Sequence, residues 1–359
     1  MTNIATAKEF SWHLAYPECI ETIRDPQVFP NCWAVSLASC IGDNFCITEN
    51  IEPIYPSSIW ITSLNNAFHE NYGRPLVNLT TGGIMMGPKF LEFITKNCSI
   101  SLERCYGGIK TLIAIDENEF LKNGGGIPSD ERIYQTILTP DSFFKCCENC
   151  LYWNKKTMIT DCSTKISSCR DKDEPNYKFK IELDHLDYYL FSYYSMSTAI
   201  IKKEQNTIKR MLCDGPINSD FTATTEYFIY GAKQLNNTTV EVFCPKKVNA
   251  LLPNHTIEIL GWGLESNIEF WYIKDSNFPS LFLKIAFATM ENLDYSIGPD
   301  FTKYQLASYF PWVFVLYGVH LYSIKPKALD KETKQKLIKN GLITRSKPRD
   351  ILDLMHSIV

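Results

Sequence analysis

The chain has 359 residues, 45% hydrophobic and 21% charged, with a net charge of −4 and a pI near 5.9. That is a globular composition with material for a sizeable core, and it excludes a basic nucleic-acid-binding surface. No Gly-rich phosphate loop of the Walker or dinucleotide type occurs.

In chain order, the start MTNIATAKEFSWHLAYPEC lacks an apolar core behind a basic head, so no secretory leader is expected. Then comes IRDPQVFPNCWAVSLASCIGDNFC. Pro30 precludes helix upstream, and Trp33, Val35, Leu37, Cys40 and Ile41 recur at helical spacing, predicting a helix from Cys32 to about Gly42. Helical patterns follow at Ser57–Phe68 and, after the Gly82-Gly83 pair, at Gly87–Lys96. Residues 106–185 are turn-rich and read as an insertion holding Cys146, Cys147, Cys150, Cys162 and Cys169 of the chain's thirteen cysteines. A helix over Thr198–Leu212 stops at Gly215-Pro216. TIEILGWG, FWYIKDS and LFLKIAFATM then read as strands. The apolar run Leu306–Ile324 contains Pro311, His320 and tyrosines, and reads as core strands in preference to a membrane span. A polar C-terminal extension follows, with a short exposed helix that has Asp330 as N-cap and Gly341 as stop. Helices early and strands late predict an α+β protein of two lobes.

A thiol in a first helical turn meets unpaired N–H groups and the positive end of the macrodipole, which favour a thiolate. Cys32 stands there, although from this stretch alone an ordinary core cysteine is the simpler reading. A thiol nucleophile needs a base, and the base an orienting group. His255 opens a predicted strand and Asp275 ends the next, where adjacent antiparallel strands bring such residues close. The other five histidines lack a comparable setting.

EFSWHLAYPECIETIRDPQVFPNCWAVSLASCIGDNFCITEN resembles the start of mature cathepsin B, a papain-like cysteine protease. TTGGIMMGPKFLEFI is similar to that family's Gly-Gly substrate loop. IKRMLCDGPINSDFTATTEYFIY is similar to its helix-to-strand join, and NHTIEILGWGLESNIEFWYIKDSN to its histidine and asparagine region. The four blocks keep the family's order from about residue 9 to 285. Some large DNA viruses encode diverged proteases that this chain resembles, which would fit a missing leader.

The resemblance implies a papain-like fold over 9–300, with a helical lobe, an antiparallel β-barrel lobe and an active-site cleft between them, followed by an extension over 301–359. It implies a cysteine endopeptidase with no cofactor or metal, acting on polypeptide. Cys32 would be nucleophile, His255 its base and Asp275 the orienter, with Gln27 assisting at the oxyanion and Gly82, Gly83 and Trp33 lining the substrate side. Cys19 and Cys46 match a family disulfide, while another family pair is replaced at both ends, by Phe29 and Thr80. His255 follows Cys32 at far more than the roughly 130–150 residues of the minimal papain pattern, and the 106–185 insertion accounts for the surplus.

Three departures stand out. The family's oxyanion glutamine falls at Pro26, with Gln27 one place later. Its asparagine is Asp275, and its shielding tryptophan is Asn277, so a wetter His–Asp pair is expected. These changes also fit an alternative, a weak or inactive pseudoprotease that binds peptides or partners. The insertion's cysteines fit disulfides, free thiols, or zinc through Cys147, Cys150, Cys162 and Cys169.

Overall fold

A computed structural model describes residues 7–23, 31–58, 61, 87–97, 99–102, 152–153, 160–161, 180–190, 198–221, 223–244, 255–287 and 320–339. The chain divides into two units. One comprises 1–26, 187–323 and 347–359, the other 27–186 and 324–346.

In the second unit, helix α2 (Cys32–Glu49) runs past Gly42, where the sequence pattern predicts its end, and stops at Asn50 in the left-handed region (φ 52°). Gly42 is there for packing, since a Cβ would lie 2.4 Å from the ring of Tyr55. Nearly every α2 residue is buried, as expected of a core helix that is apolar all round. Helix α3 (Gly87–Asn97) turns Phe90 edge-on to Trp33, ring centroids 6.1 Å apart. Strand β2 (Ser99–Ser101) pairs antiparallel with β5 (Lys180–Leu190), which begins inside the predicted insertion. Its alternation, Ile181 and Leu183 inward and Glu182 and Asp184 outward, is that of a half-buried strand. Between them, β3 (Tyr152–Trp153) and β4 (Thr160–Asp161) form a small ladder.

The C-terminal helix α6 (Lys331–Lys339) belongs to this unit and is capped by Asp330, whose Oδ1 accepts from Thr333 N at 2.8 Å. The helix is largely exposed, as expected from its polarity, and docks through a few contacts. Leu337 is buried, and Lys334 Nζ donates to the Glu49 carbonyl at 2.6 Å and pairs with Glu49 Oε2 at 3.3 Å. The Leu329 amide donates to Glu49 Oε1 at 2.9 Å. A cation is thereby placed on the negative end of α2.

The first unit is built on a sheet in the order β6 (Ile217–Phe221), β8 (His255–Glu265), β9 (Ile268–Lys274), β10 (Phe282–Ala286), β7 (Val242–Phe243), with β1 (Phe10–Ser11) also on β8. Leu321 and Tyr322 of strand β11 (His320–Pro326) pair with β6. Among the described residues this ladder is open where a closed antiparallel barrel is expected, and its β7–β10 pair is parallel. The β8–β9 hairpin turns through Ser266 and Asn267, both with positive φ, the backbone that matches strand twist. A bulge lies between Ile259 and Gly261. Gly261 has to be glycine, because a Cβ would stand 2.0 Å from the Phe10 carbonyl oxygen of β1. Glu258 and Lys274 face each other in register and form a fully buried pair at 3.3 Å, with Lys274 Nζ also donating to the Glu21 carbonyl. A one-residue slip would leave both charges unpaired, so the pair specifies the register. Helix α1 (Trp12–Ala15) is fastened through Trp12 Nε1, which donates to Leu212 O, at the end of α4 (Thr198–Leu212), at 2.8 Å. Gly215 follows with φ 143°. Helix α5 (Thr225–Gln234) comes next, a helix not among those expected from the sequence.

Cys19 and Cys46 are both disulfide-bonded, as the family resemblance implies, while Cys32 and Cys244 are free thiols. The cysteines of the 106–185 insertion lie outside the described residues, as do Gln27, Gly82, Gly83 and most of the Ser57–Phe68 pattern. Of the apolar run, only its last residues are described, and they lie in β11. No helix among the described residues is long and apolar enough to cross a membrane.

Candidate active site

His255 is the first residue of β8 and Asp275 the first beyond β9. The antiparallel register, Glu258 opposite Lys274 and Ile259 opposite Ile273, carries positions 255 and 275–277 to the same end of the hairpin. There His255 Nε2 donates to Asp275 Oδ1 at 2.7 Å, with both side chains buried. The Asn277 backbone N–H donates to the same oxygen at 2.7 Å, and its side-chain amide does so at 3.3 Å while lying 3.0 Å from His255 Nε2. The other carboxylate oxygen, Oδ2, accepts from the hydroxyl of Tyr227 on α5. Tyr227 is held in place from two sides. Thr224 caps its helix by accepting the Tyr227 N–H at 3.2 Å, and Phe278 packs 5.9 Å from its ring. Gly231, one turn on, admits Phe278, since a Cβ would meet that ring at 2.3 Å.

Electrostatics follow from this arrangement. Burial pushes the Asp275 carboxyl up, but the charge of His255 and the donors on His255, Tyr227 and Asn277 more than offset it and hold it below its ordinary range. Asp275 is thus a buried carboxylate. Burial first, and then the neighbouring Asp275 charge, push Tyr227 well above the usual phenol range, so it remains a donor. With Nε2 engaged by the carboxylate, proton exchange with a thiol falls to His255 Nδ1.

The wetter pair expected from Asn277 does not form. Asp275 is 1% exposed and His255 6%. Tyr227 and Phe278 supply the cover, together with the Asn277 amide. Tyr227 is not among the residues expected at the site, because α5 is not among the expected helices. The signal was present: Thr224 is a favoured cap, and Glu226 lies in the first turn.

Cys32 is the first residue of α2 and carries a free, buried thiol. Asn31 precedes it as N-cap without a side-chain capping bond, and the Ala34 and Val35 amides return to its carbonyl at 2.8 and 3.1 Å. Among the described residues, the buried Asn31 Oδ1 and Trp33 Nε1 have no hydrogen-bond partner. Trp33 is a core residue, 3% exposed. Cys32 and Trp33 belong to the second unit, His255 and Asp275 to the first.

The family profile described as papain family cysteine protease matches residues 6–280. The chain is similar to cathepsin B-like cysteine proteinase 3 of Caenorhabditis elegans, 20% identical over 263 residues, which cover 73% of this chain and 55% of that protein. It is similar to a cathepsin B-like cysteine proteinase of Schistosoma japonicum, 21% identical over 282 residues, covering 76% and 65% respectively. The chain therefore spans between about half and two-thirds of the length of these curated relatives. Among solved structures it is similar to procathepsin B S9 from Trypanosoma congolense, with a TM-score of 0.48, 14% identity, and coverage of 89% of this chain and 78% of that one.

Proposed function

Since this chain belongs to the papain family of cysteine proteases, with an α+β papain-like fold, we propose that it is a cysteine endopeptidase that hydrolyses polypeptide through Cys32 and His255. One observation carries the reading. A buried carboxylate holds His255 by Nε2, which fixes the ring tautomer and presents Nδ1 for proton exchange. In the assigned reaction the Cys32 proton passes to His255 Nδ1. The thiolate then adds to the peptide carbonyl carbon, and the imidazolium returns the proton to the departing amine. Water hydrolyses the resulting thioester, with His255 as general base, and regenerates the thiol. Asp275 orients His255 and stabilises its charged form without taking up the proton.

In this reading Gly82 and Gly83 line the substrate backbone, where the absence of side chains suits close approach of an extended peptide, while Trp33, expected on the substrate side, is buried and backs the nucleophile from the core. The same reading takes the Cys32 N–H as one oxyanion donor and Gln27 as the second. An oxyanion donor is worth roughly 2.7–4 kcal/mol, so a poorly delivered Gln27 amide makes a slow enzyme and not an inert one.

Turnover of a peptide library tests the reading. Cys32→Ala is expected to lower kcat by at least about 10⁴-fold while the fold persists. Peptide binding by the parent protein without Cys32-dependent cleavage would support the rival reading, a peptide-binding pseudoprotease, for which Pro26 at the family's glutamine position is the motivating observation.

A further inference from the structure

We propose that Tyr227 is a positioning residue matched to Asp275, so that phenol and carboxylate together do what a single asparagine does in relatives; this rests on the proteolytic reading above. An asparagine side chain offers one acceptor oxygen and one NH₂ donor. The His255 ring needs an acceptor, so an asparagine at 275 would turn its NH₂ to the Oδ2 side. In this chain the Oδ2 side is occupied by the Tyr227 hydroxyl, which donates to it. A phenol that donates requires an acceptor, and a carboxylate supplies one. Aspartate at 275 and tyrosine at 227 are therefore complementary, and either alone leaves a buried polar atom badly matched, because both residues are buried.

The pairing has two consequences for His255. Oδ1 accepts from the His255 ring and the Asn277 amide while Oδ2 accepts from Tyr227, so the carboxylate plane is fixed by donors on three different segments, β8, α5 and the turn after β9. A fixed plane keeps Oδ1 aimed at Nε2. The phenol also withdraws part of the carboxylate's charge. An unshared aspartate would hold the imidazolium too firmly and make it a poor acid toward a leaving amine. Among the described residues, the groups facing the Asp275 carboxylate are His255 from β8, Tyr227 from α5 and Asn277 from the turn.

The experiment is a double-mutant cycle on the full chain with Tyr227→Phe, Asp275→Asn and the double variant. Two readouts are taken, kcat/KM against pH on a cleaved peptide and the titration of the His255 ring by NMR. Tyr227→Phe is expected to move the His255 titration to higher pH and Asp275→Asn to lower pH. The double variant is expected to retain about tenfold more kcat/KM than the product of the two single losses, because the mismatched NH₂-to-phenol contact is gone. Fluorotyrosine at 227, a stronger donor of nearly the same shape, is expected to move the titration to lower pH, and it keeps the test alive should the phenylalanine variant fold poorly. Additive losses, or a His255 titration indifferent to residue 227, would overturn the proposal. A parent protein that cleaves nothing would sink the proteolytic reading, yet the NMR arm would still report whether Tyr227 acts on His255 through Asp275.

Discussion

The start of helix α2 and the shared end of strands β8 and β9 carry the two halves of the proposed chemistry, and they are built on opposite principles. At the strand end, both carboxylate oxygens of Asp275 have donors and His255 is clamped. At the helix start, Cys32 stands between two buried polar atoms, Asn31 Oδ1 and Trp33 Nε1, without partners among the described residues. The strand end needs three separate segments to be correct. The helix start is made of consecutive residues, with Phe90 of α3 packed edge-on to Trp33. A base must be held in one tautomer and one direction before substrate arrives, which takes a saturated hydrogen-bond shell. A thiol needs less, a rigid stem and the orphan amides of a first turn.

The contrast is open to attack at three points, beginning with the largest effect. Asp275→Leu strips the strand end of its acceptor and leaves the Tyr227 hydroxyl and the His255 N–H buried and unmatched. A stability loss of roughly 3–5 kcal/mol is expected by denaturant titration. A loss below about 1 kcal/mol would mean that the shell is not what holds this end together.

A second attack uses pH. Burial first, and then the charges of Lys274 and Lys284, lower His13 from 6.5 to about 4, and its ring Nδ1 accepts from Ser11 Oγ at 2.6 Å. A base depressed in the folded state binds fewer protons than in the unfolded chain between those two values. Stability is therefore full above pH 6.5 and falls as pH drops toward 4. The loss should reach about 3 kcal/mol, and His13→Asn, which keeps an acceptor for Ser11 but cannot titrate, should flatten it. Asp275, a carboxyl held low, adds its own loss only as pH falls below the ordinary carboxylate range. An unchanged pH profile in the His13→Asn protein would remove this histidine from the account.

The smallest effect belongs to the helix side. Lys334→Ala releases the Glu49 carbonyl and carboxylate at the far end of α2 and should cost about 1 kcal/mol, read as a lower thermal midpoint. If helix α6 instead contributes nothing, deletion from residue 327 onward would leave that midpoint unchanged, and the C-terminal segment would be an appendage.

What could be read in the sequence was whatever depends on neighbours in the chain. The helix Thr198–Leu212 and its stop at Gly215, the strand opening at His255, Asp275 at a strand end and the Asp330 cap all follow from local period, caps and breakers. Gly42 misled because glycine ends helices by its own backbone freedom but sits inside them when a distant ring needs the space, and the Tyr55 ring is visible only in three dimensions. The polarity of α6 foretold its exposure but not its docking, since its partner Glu49 is nearly three hundred residues upstream.

Residue types and their order thus determined by themselves that this chain belongs to the papain family, and which cysteine, histidine and acid to suspect. Tertiary structure alone decided that Asp275 is dry, that Tyr227 answers it, and that Glu49 anchors the C-terminal helix. The physical reason is that period and capping are short-range properties of a chain, whereas burying a charge requires donors from wherever the fold happens to bring them.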